Sequence, residues 1–304
     1  MTAERVQSTR GRIFDIIGAS RIFFTVSVVF VIASVILLLV QGLNLGIDFT
    51  GGTLLDRGFA RSVSVADIRA ALTSPELADL KLERAGIQVT ENGRQAIIRV
   101  PELTADQIAR VDAQLGNLFG AVDDLRTEVV GPVIGKELLR ATLLALLFGL
   151  GGILIYVAIR FEYRFAVAAI IALAHDTLIT LGVFALVQRE VNVPFMAAML
   201  TMVGYSINDT IVVFDRIREL LRLHTRQQPG EVANEAILQT LNRSINTSLT
   251  TLLAIAALYF LGGTTIKDFS LAMLIGVIVG TYSSIFIASP IWVAWRQAGH
   301  RQAS

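Results

Sequence analysis

Six long apolar runs dominate the chain, and the polar segments between them differ greatly in length. The first run, residues 22–47, contains no charged residue. A helix needs about 20 apolar residues to cross the core of a bilayer, so this run is long enough to span. The other five runs cover residues 138–159, 165–187, 195–214, 246–261 and 269–295. The pattern predicts six transmembrane helices.

The first run also has features of a secretory signal, since Arg10, Arg12 and Arg21 precede it. However, the apolar core of a signal peptide is only about 7–15 residues long. No A-x-A cleavage site follows the run. We therefore predict a permanent membrane anchor at residues 22–47.

The segment between the first two spans has the pattern of a small soluble domain. Residues 48–136 contain 10 Lys or Arg and 13 Asp or Glu, a net charge of −3. An Asn-Gly pair at 92–93 separates two strand-like runs and predicts a hairpin. Ser64 and Thr104 are helix N-cap residues by type and position. The predicted order, strand–helix–strand–strand–helix–strand, is that of a ferredoxin-like domain.

Together these patterns predict an α-helical membrane protein, a six-helix transmembrane bundle with a small ferredoxin-like α/β domain inserted between helices 1 and 2. The predicted parts are a cytoplasmic N-terminal segment, a first span, an extracytoplasmic domain, five further spans with a basic cytoplasmic loop at 215–245, and a cytoplasmic tail. Their bounds are 1–21, 22–47, 48–136, 137–295 and 296–304.

The distribution of basic residues predicts the orientation in the membrane. If the N terminus is cytoplasmic, thirteen arginines face the cytoplasm, whereas the two short outer loops contain only Arg189 and Lys267. The positive-inside rule favours that arrangement. Both termini are then cytoplasmic, and residues 48–136 lie outside. The thirteen arginines are Arg5, Arg10, Arg12, Arg21, Arg160, Arg164, Arg216, Arg218, Arg222, Arg226, Arg243, Arg296 and Arg301.

Composition excludes several classes of protein. Hydrophobic residues make up 54% of the chain, charged residues 17%, and the net charge is +1, which does not suit a nucleic-acid-binding protein. Cysteine is absent and histidine occurs three times, so disulfide frameworks and thiolate metal sites are excluded. Neither H-E-x-x-H nor G-x-S-x-G occurs. We therefore predict no enzyme activity and no cofactor, with an ion gradient as the available energy source.

Two glycine-containing motifs have structural interpretations. Gly46–Gly52, GIDFTGG, lacks the Lys-Ser/Thr of a phosphate-binding loop and predicts a tight turn where the chain leaves the bilayer. Gly276–Gly280, GVIVG, matches the GxxxG pattern and predicts close helix packing.

Ionisable residues inside two of the predicted spans indicate function. An aspartate at the centre of a spanning helix costs about 2.5–3.5 kcal/mol on insertion scales. The third span nevertheless contains His175 and Asp176 near its midpoint, and the fourth contains Asn208 and Asp209. We predict that His175, Asp176 and Asp209 belong to a proton relay and that Asn208 is a supporting polar residue, although His175 is equally consistent with a packing or hydrogen-bonding role.

The start of the fifth span supplies a candidate partner for Asp209. Arg243, Thr247 and Thr250 recur at helical spacing and predict one polar stripe. Since the fourth and fifth spans run in opposite directions, Arg243 can lie at the depth of Asp209, with Asn208, Thr247 or Thr250 in support. The pair is either a structural lock between two helices or part of a proton relay, because an arginine that moves changes the proton affinity of a nearby aspartate.

Five stretches give the chain a resemblance to a known family. It resembles the SecD/SecF family of protein-export (Sec translocase) membrane subunits, of the resistance-nodulation-division superfamily. The stretches are GIDFTGGTLL (46–55), VVGPVIGKELL (129–139), ALAHDTLITLG (172–182), VGYSINDTIVVFDRIRE (203–219) and LNRSINTSLTTL (241–252).

The resemblance implies a function that the residue pattern alone does not give. It implies a heteromer with SecD, association with the SecYEG channel and YajC, and use of the proton gradient to promote movement of an unfolded polypeptide across the cytoplasmic membrane. It also implies contact with membrane lipid, no nucleic-acid partner, and roles in proton use for Asp209 and Arg243. The alternatives are half of a small-molecule or lipid exporter and a non-energised subunit that braces the translocon.

Overall fold

A computed structural model describes residues 15–90 and 92–301, the last three by their backbone only. Arg5, Arg10 and Arg12, which the orientation argument used, lie outside the described residues, as does the side chain of Arg301. The chain divides into two compact units, residues 1–44 with 144–304 and residues 45–143. Each unit is described by itself below.

The secondary structure is mostly helical, and six helices are long and apolar enough to cross a membrane in the part of the chain described. This confirms the predicted number of spans. In chain order the elements are α1 (Ser20–Val40), β1 (Asn44–Leu45), α2 (Ile47–Thr50), β2 (Gly52–Phe59), α3 (Val65–Leu72), two 3₁₀ turns (Pro75–Leu80 and Leu82–Arg84), β3 (Gly86–Val89), β4 (Gln95–Val100), α4 (Ala105–Phe119), β5 (Val122–Val130), α5 (Pro132–Arg160), α6 (Tyr163–Val187), β6 (Glu190–Val191), α7 (Val193–Leu223), α8 (Pro229–Leu261), α9 (Thr264–Ser283), a π-helical turn (Ser284–Ala288) and α10 (Ser289–Arg301).

The spans are α1, α5, α6, α7, α8 and the sixth span, which consists of α9, the π-turn and α10. The segment predicted as a basic loop at 215–245 is largely helical, because α7 continues to Leu223 and α8 begins at Pro229. Polar contacts stabilise the end of α7 and the start of α8. Arg216 donates a hydrogen bond to Gln239 and pairs with Glu219, and Gln239 donates to Glu235. Hydropathy marks the membrane-embedded part of a helix and not its full length.

Glycine and serine let the central helices of the larger unit approach closely. Helix α9 packs on α7, where a Cβ added to Gly280 would lie 2.9 Å from the Ser206 Cβ and one added to Gly276 would lie 2.8 Å from the Met202 Cβ. Helix α6 packs on α1 in the same way, through Gly182 and Ser34. The residues of GVIVG therefore pack against α7, as small residues do in membrane bundles.

The smaller unit contains a four-stranded antiparallel sheet with the order β3-β4-β2-β5. Along the chain its elements follow one another as strand, helix, two strands, helix and strand. The last strand begins at Val122, which pairs with Phe59 at the far end of β2. Leu55 and Ile98 are fully buried in a core that α3 and α4 cover with Ile68 and Leu115.

Arg57, on β2, is a buried cation of this unit, 1% exposed. Its guanidinium donates to both Asp112 carboxylate oxygens at 2.7 and 3.0 Å and to Asp124 Oδ1 at 2.6 Å, and it pairs with both residues. It also donates to the Arg126 carbonyl and the Thr127 hydroxyl. These contacts tie α4 and β5 to the middle of β2, since a buried charge requires such partners.

The turn predicted at GIDFTGG contains the short helix α2 followed by Gly51 and Gly52, whose φ angles are +71° and +126°. A Cβ on Gly52 would lie 2.6 Å from the Val100 carbonyl oxygen, and one on Gly51 would lie 2.9 Å from the Pro132 Cα. Both backbone conformation and space therefore require glycine at these two positions.

The contact between α6 and α1 predicts a steric effect. A Cβ at Gly182 would lie 2.6 Å from the Ser34 Cα, which is backbone and cannot turn aside. We expect Gly182→Ala to destabilise the purified chain by about 1–3 kcal/mol. Gly204→Ala is the control, because a Cβ there meets nothing within 4 Å. The measurement is the thermal unfolding midpoint in detergent, and equal midpoints for the two variants would contradict the described packing.

The N-terminus of α3 predicts a pH effect on local stability. The Ser64 hydroxyl and backbone N–H both donate to Asp67, at 2.7 and 2.9 Å, and hold the pKa of that carboxyl below its usual value. Since the unfolded-state pKa is about 3.9, this stabilisation is present above it and is lost as the pH falls towards the lower folded-state pKa. Hydrogen-exchange protection of the first turn of α3 should fall accordingly.

Helix α4 provides the internal control. Its N-terminus has the same arrangement with Thr104 and Gln107, and glutamine does not titrate. Hydrogen-exchange protection of the first turn of α4 should therefore not fall as Asp67 titrates. The variant Asp67→Asn should remove the pH dependence of protection at α3. If protection falls in parallel at α3 and α4, Asp67 is not the cause of the loss.

Candidate functional site: buried carboxylates in the helix bundle

Two aspartates are buried in the spanning helices of the larger unit. Asp176, on α6, is 0% exposed, and Asp209, on α7, is 7% exposed. Burying an ionised carboxylate costs free energy unless hydrogen bonds or opposite charges compensate it. The partners of these carboxylates therefore define the site.

Asp176 accepts hydrogen bonds from residues of three different spans. The Ser206 hydroxyl on α7 donates to Oδ2 at 2.6 Å, and the Ser283 hydroxyl at the end of α9 donates to the same oxygen at 2.8 Å. His175 Nδ1 lies 2.9 Å from Oδ1. An ionised carboxylate accepts only, so this arrangement requires His175 to carry a proton on Nδ1.

His175 itself lies between this carboxylate and an aromatic ring. Its ring stacks against Tyr282 with centroids 6.2 Å apart, and its Nε2 is buried with no hydrogen-bond partner in the described part of the chain. The two predicted residues of the third span are thus in direct contact with each other.

Asp209 has fewer partners than Asp176. Its Oδ1 accepts a hydrogen bond from the Ser244 hydroxyl on α8 at 2.6 Å. Its Oδ2 is buried and has no hydrogen-bond partner among the described residues. Arg243 lies beside Ser244 on α8 with its side chain exposed, and it does not form the direct ion pair with Asp209 that the sequence predicted.

The other predicted polar residues lie away from Asp209. Asn208, Thr247 and Thr250 are exposed. The Thr247 hydroxyl donates to the Arg243 carbonyl, and the Thr250 hydroxyl donates to the Asn246 and Thr247 carbonyls of its own helix. In the described part of the chain, none of these three side chains donates a hydrogen bond to Asp209, which accepts from Ser244 instead.

The polar stripe of α8 that faces the bundle is one residue further along the helix. It contains Ser244 and Ser248, which are buried. The Ser248 hydroxyl lies 2.6 Å from the Thr281 hydroxyl of α9 and accepts from the Tyr205 hydroxyl of α7 at 3.2 Å. One residue rotates the helical position by about 100°, which explains the misplaced stripe.

Sequence reasoning missed the serines that contact the carboxylates, Ser206, Ser244 and Ser283. Serine is common at the contacts between membrane helices, so its presence alone gives no signal. The i, i+4 spacing of Ser244 and Ser248 was the available clue, because it matches one helix face as well as that of Arg243 and Thr247 does.

Asp215 marks the cytoplasmic end that was predicted for α7. It pairs with Arg160 of α5 at 3.2 Å, and both side chains are more than 40% exposed. No group of three or more His, Asp or Glu residues that could hold a metal ion occurs in the ranges that the structure describes. Among the described residues of the spanning helices, the buried ionisable side chains are His175, Asp176 and Asp209.

Family models match two parts of the sequence. Residues 110–298 match the model described as "Protein export membrane protein SecD/SecF, C-terminal", and residues 36–56 match the one described as "SecD/SecF GG Motif".

Curated proteins match over most of their length. The chain is 44% identical over 298 residues to a protein translocase subunit SecF of Alicyclobacillus acidocaldarius, covering 96% of each. It is 43% identical over 281 residues to a protein translocase subunit SecF of Vibrio alginolyticus, covering 90% of this chain and 86% of that protein.

The chain also resembles one part of a longer protein of known structure. It is 40% identical to the protein translocase subunit SecDF of Thermus thermophilus, covering 93% of this chain but 38% of that protein. The crystal structure of that SecDF, described as a translocon-associated membrane protein, superposes with a TM-score of 0.85 and covers 93% of this chain and 39% of that one.

The three donors around Asp176 predict the effect of removing their acceptor. Asp176→Leu leaves the donors of Ser206, Ser283 and His175 without an acceptor. We expect it to lower the free energy of unfolding by about 3 kcal/mol or more. Asp176→Asn keeps an acceptor and adds an N–H that a serine oxygen can accept, so its loss should be smaller. Thermal unfolding in detergent measures both. Equal loss for the two variants would contradict a compensated carboxylate at this position.

Proposed function

The chain belongs to the SecD/SecF family of protein export membrane proteins, and from this premise we propose that Asp209 and Asp176 couple protein export to the proton gradient. The chain is a multi-pass membrane protein of the cell membrane with a role in Sec protein export. The fused SecDF relative indicates a partnership with SecD. A small-molecule or lipid exporter is not favoured by these relatives.

The observation that carries the proposal is the state of Asp209. Its carboxylate is buried in a span, one oxygen accepts a hydrogen bond from Ser244, and the other oxygen has no partner in the described part of the chain. A structural carboxylate would be expected to have both oxygens satisfied. An oxygen that lacks a partner is free to take up a proton, and uptake removes the cost of a buried charge.

Arg243 and the Asp176 group have distinct roles in this proposal. Arg243 is exposed and adjoins Ser244, the donor to Asp209, so its movement towards or away from Asp209 favours loss or uptake of the proton. Asp176 and His175 form a second site at the contact of α6, α7 and α9, where proton uptake changes the donors and acceptors between three helices.

The proposal also includes the orientation of the chain in the membrane and the role of the smaller unit. Both termini are cytoplasmic, as the arginine distribution supports. The smaller unit is a ferredoxin-like domain on the outer side of the membrane, and its strand order and element succession support this identification. Its position outside fits a role in contacting the unfolded polypeptide as it emerges.

The further partners rest on the family resemblance. We assign association with the SecYEG channel and YajC to the assembled SecD complex, which agrees with the description of the Thermus protein as translocon-associated. Highly exposed apolar side chains such as Leu39, Ile159 and Leu261 suit contact with membrane lipid or with the SecD partner.

Replacing Asp209 tests proton coupling. Asp209→Asn keeps the size and the bond to Ser244 but cannot carry a proton. We expect export of a secreted reporter to fail in cells that depend on this variant, because the proton-driven step is lost. Precursor accumulation measures export, and the protein level and copurification with SecD show whether the complex assembles.

Asp215→Asn is the matched control on the same helix. Asp215 is 43% exposed and its ion pair with Arg160 is of the surface kind, which contributes about 0–1 kcal/mol. Export should be normal with this variant. Normal export with Asp209→Asn in an assembled complex would refute the proton-coupling proposal and would leave family membership unaffected.

A further inference from the structure

Ser283 and Ser284 are consecutive buried residues where α9 meets the π-turn, and their hydroxyls contact different helices. Ser283 donates to Asp176 Oδ2 on α6 at 2.8 Å. The Ser284 Oγ lies 2.8 Å from the Thr210 Oγ1 on α7, at the residue that follows Asp209. Both serines are 0% exposed. The Ser283–Ser284 pair therefore contacts both Asp176 and the residue of α7 next to Asp209.

Each of these hydroxyls has one proton but more than one acceptor in reach. Ser283 can donate to Asp176 or to the Gly280 carbonyl, at 3.1 Å. Ser284 can donate to the same Gly280 carbonyl at 2.9 Å, to the Ser206 carbonyl at 3.4 Å, or to Thr210. The Gly280 carbonyl is thus shared between the two serines.

The charge on Asp176 decides which of these bonds is made. The ionised carboxylate accepts from Ser206, Ser283 and His175 together. If Oδ2 gains a proton, it becomes a donor and one of its two serine hydroxyls must turn to accept. Ser283 has the Gly280 carbonyl as an alternative acceptor, whereas no other acceptor for the Ser206 hydroxyl occurs among the described residues. Ser283 is therefore the hydroxyl that turns.

Turning of Ser283 changes the bonds of Ser284. The Gly280 carbonyl has two lone pairs and already accepts the Ser284 backbone N–H. Once Ser283 also donates to this oxygen, both lone pairs are used, and the Ser284 hydroxyl is directed to α7 instead. Its acceptors there are the Thr210 hydroxyl and the Ser206 carbonyl. The Thr210 hydroxyl in turn keeps the Ser206 carbonyl as an acceptor at 3.1 Å.

We propose that Ser283 and Ser284 form a two-hydroxyl switch, which transmits the protonation of Asp176 to the segment of α7 that carries Asp209. Both act as positioning residues, since neither carries the transported proton. This inference rests on the proposed function, because it requires that Asp176 takes up and releases a proton. It adds a second physical link between the two sites, beside the hydrogen bond from Ser206 of α7 to Asp176.

The surrounding structure holds the switch in place. Gly280 lies against Ser206, which keeps α9 and α7 close enough for hydroxyl contacts. The Ser289 hydroxyl donates to the Ser284 carbonyl at 3.2 Å across the π-turn. Pro290 follows and has no backbone N–H, so the regular hydrogen-bond ladder is interrupted there.

The titratable groups on the elements around Asp176 are few among the described residues. Those within four residues of Asp176 or of its serine donors are His175 on α6, Tyr282 on α9, and Tyr205 and Asp209 on α7. The other titratable residues of these helices lie nearer their ends: Tyr163, Arg164, Asp215, Arg216, Arg218, Glu219, Arg222, Lys267 and Asp268. Helix α1 contributes the Ser27 hydroxyl, which lies 3.1 Å from the Tyr282 hydroxyl. Any proton exchanged by Asp176 must pass among these groups or water.

The test measures export driven by the proton gradient in inverted membrane vesicles that contain the complete export complex. The readout is the ratio of export with the gradient to export without it, because a loss of folding or assembly lowers both terms. Ser284→Ala removes one hydroxyl of the contact with α7. Thr210→Val removes the other at almost unchanged size, and Thr210→Ser retains it.

We expect Ser284→Ala and Thr210→Val each to lower the ratio towards one, and Thr210→Ser to keep it at the wild-type value. The double variant of Ser284→Ala and Thr210→Val should have the same ratio as either single variant, since each substitution removes the same contact. Ser270→Ala is the control, because Ser270 is equally buried on α9 but has no hydrogen-bond partner in the described residues. Its ratio should equal that of the wild type.

Two outcomes overturn the inference, and they are distinguishable. If Asp176→Asn lowers the ratio while Ser284→Ala and Thr210→Val leave it unchanged, the switch is wrong and the proton role of Asp176 stands. If Asp176→Asn and Asp209→Asn both keep the wild-type ratio, the proposed function is wrong and the switch fails with it.

Discussion

The arrangement of the bundle depends on the hydrogen bonds that Asp176 requires. A charged carboxylate at 0% exposure in a spanning helix is stable only when donors surround it. Its donors come from α6, α7 and α9, so satisfying this one group fixes the rotation of three helices about their axes. Apolar packing alone specifies rotation poorly in a membrane, because lipid tails are as apolar as the side chains they replace. The glycines of α9 bring the helices close enough for short serine side chains to reach.

Sequence patterns predicted the parts of this arrangement unequally. The number of spans and the buried aspartates could be predicted, because a charge inside an apolar run is rare and costly. The partners of those aspartates could not be predicted. A shift of one residue along α8 changes the helix face that meets the bundle from the one with Arg243 and Thr247 to the one with Ser244 and Ser248. The ends of α7 and α8 were also missed, because polar residues continue a helix into water without any change in period. In the smaller unit the N-cap residues and the Asn-Gly turn indicated the succession of strands and helices, whereas the partners of Arg57 depend on long-range pairing.

The two units are stabilised by different physical effects. The smaller unit has a core of the kind found in water-soluble domains, with Leu55, Ile98 and Leu115 fully buried between a sheet and two helices. Its buried cation is surrounded by carboxylates and a carbonyl. In the bundle the buried polar groups are linked instead by hydroxyls, each of which can act as donor or acceptor. A network of hydroxyls permits changes of protonation that a fixed ion pair would resist.

The glycine pair at 51 and 52 lies in the segment that matches the GG-motif family model, and the structure gives a steric reason for both glycines. Its positive φ angles and the nearby Val100 carbonyl and Pro132 backbone exclude every other residue on geometric grounds. The motif that names a family model for this region therefore records a steric requirement of a turn and no reaction chemistry. The geometry that requires these glycines involves neither buried aspartate. Assigning energy coupling to a sequence accordingly requires inspection of the spans, since the turn and the aspartates lie in different parts of the chain.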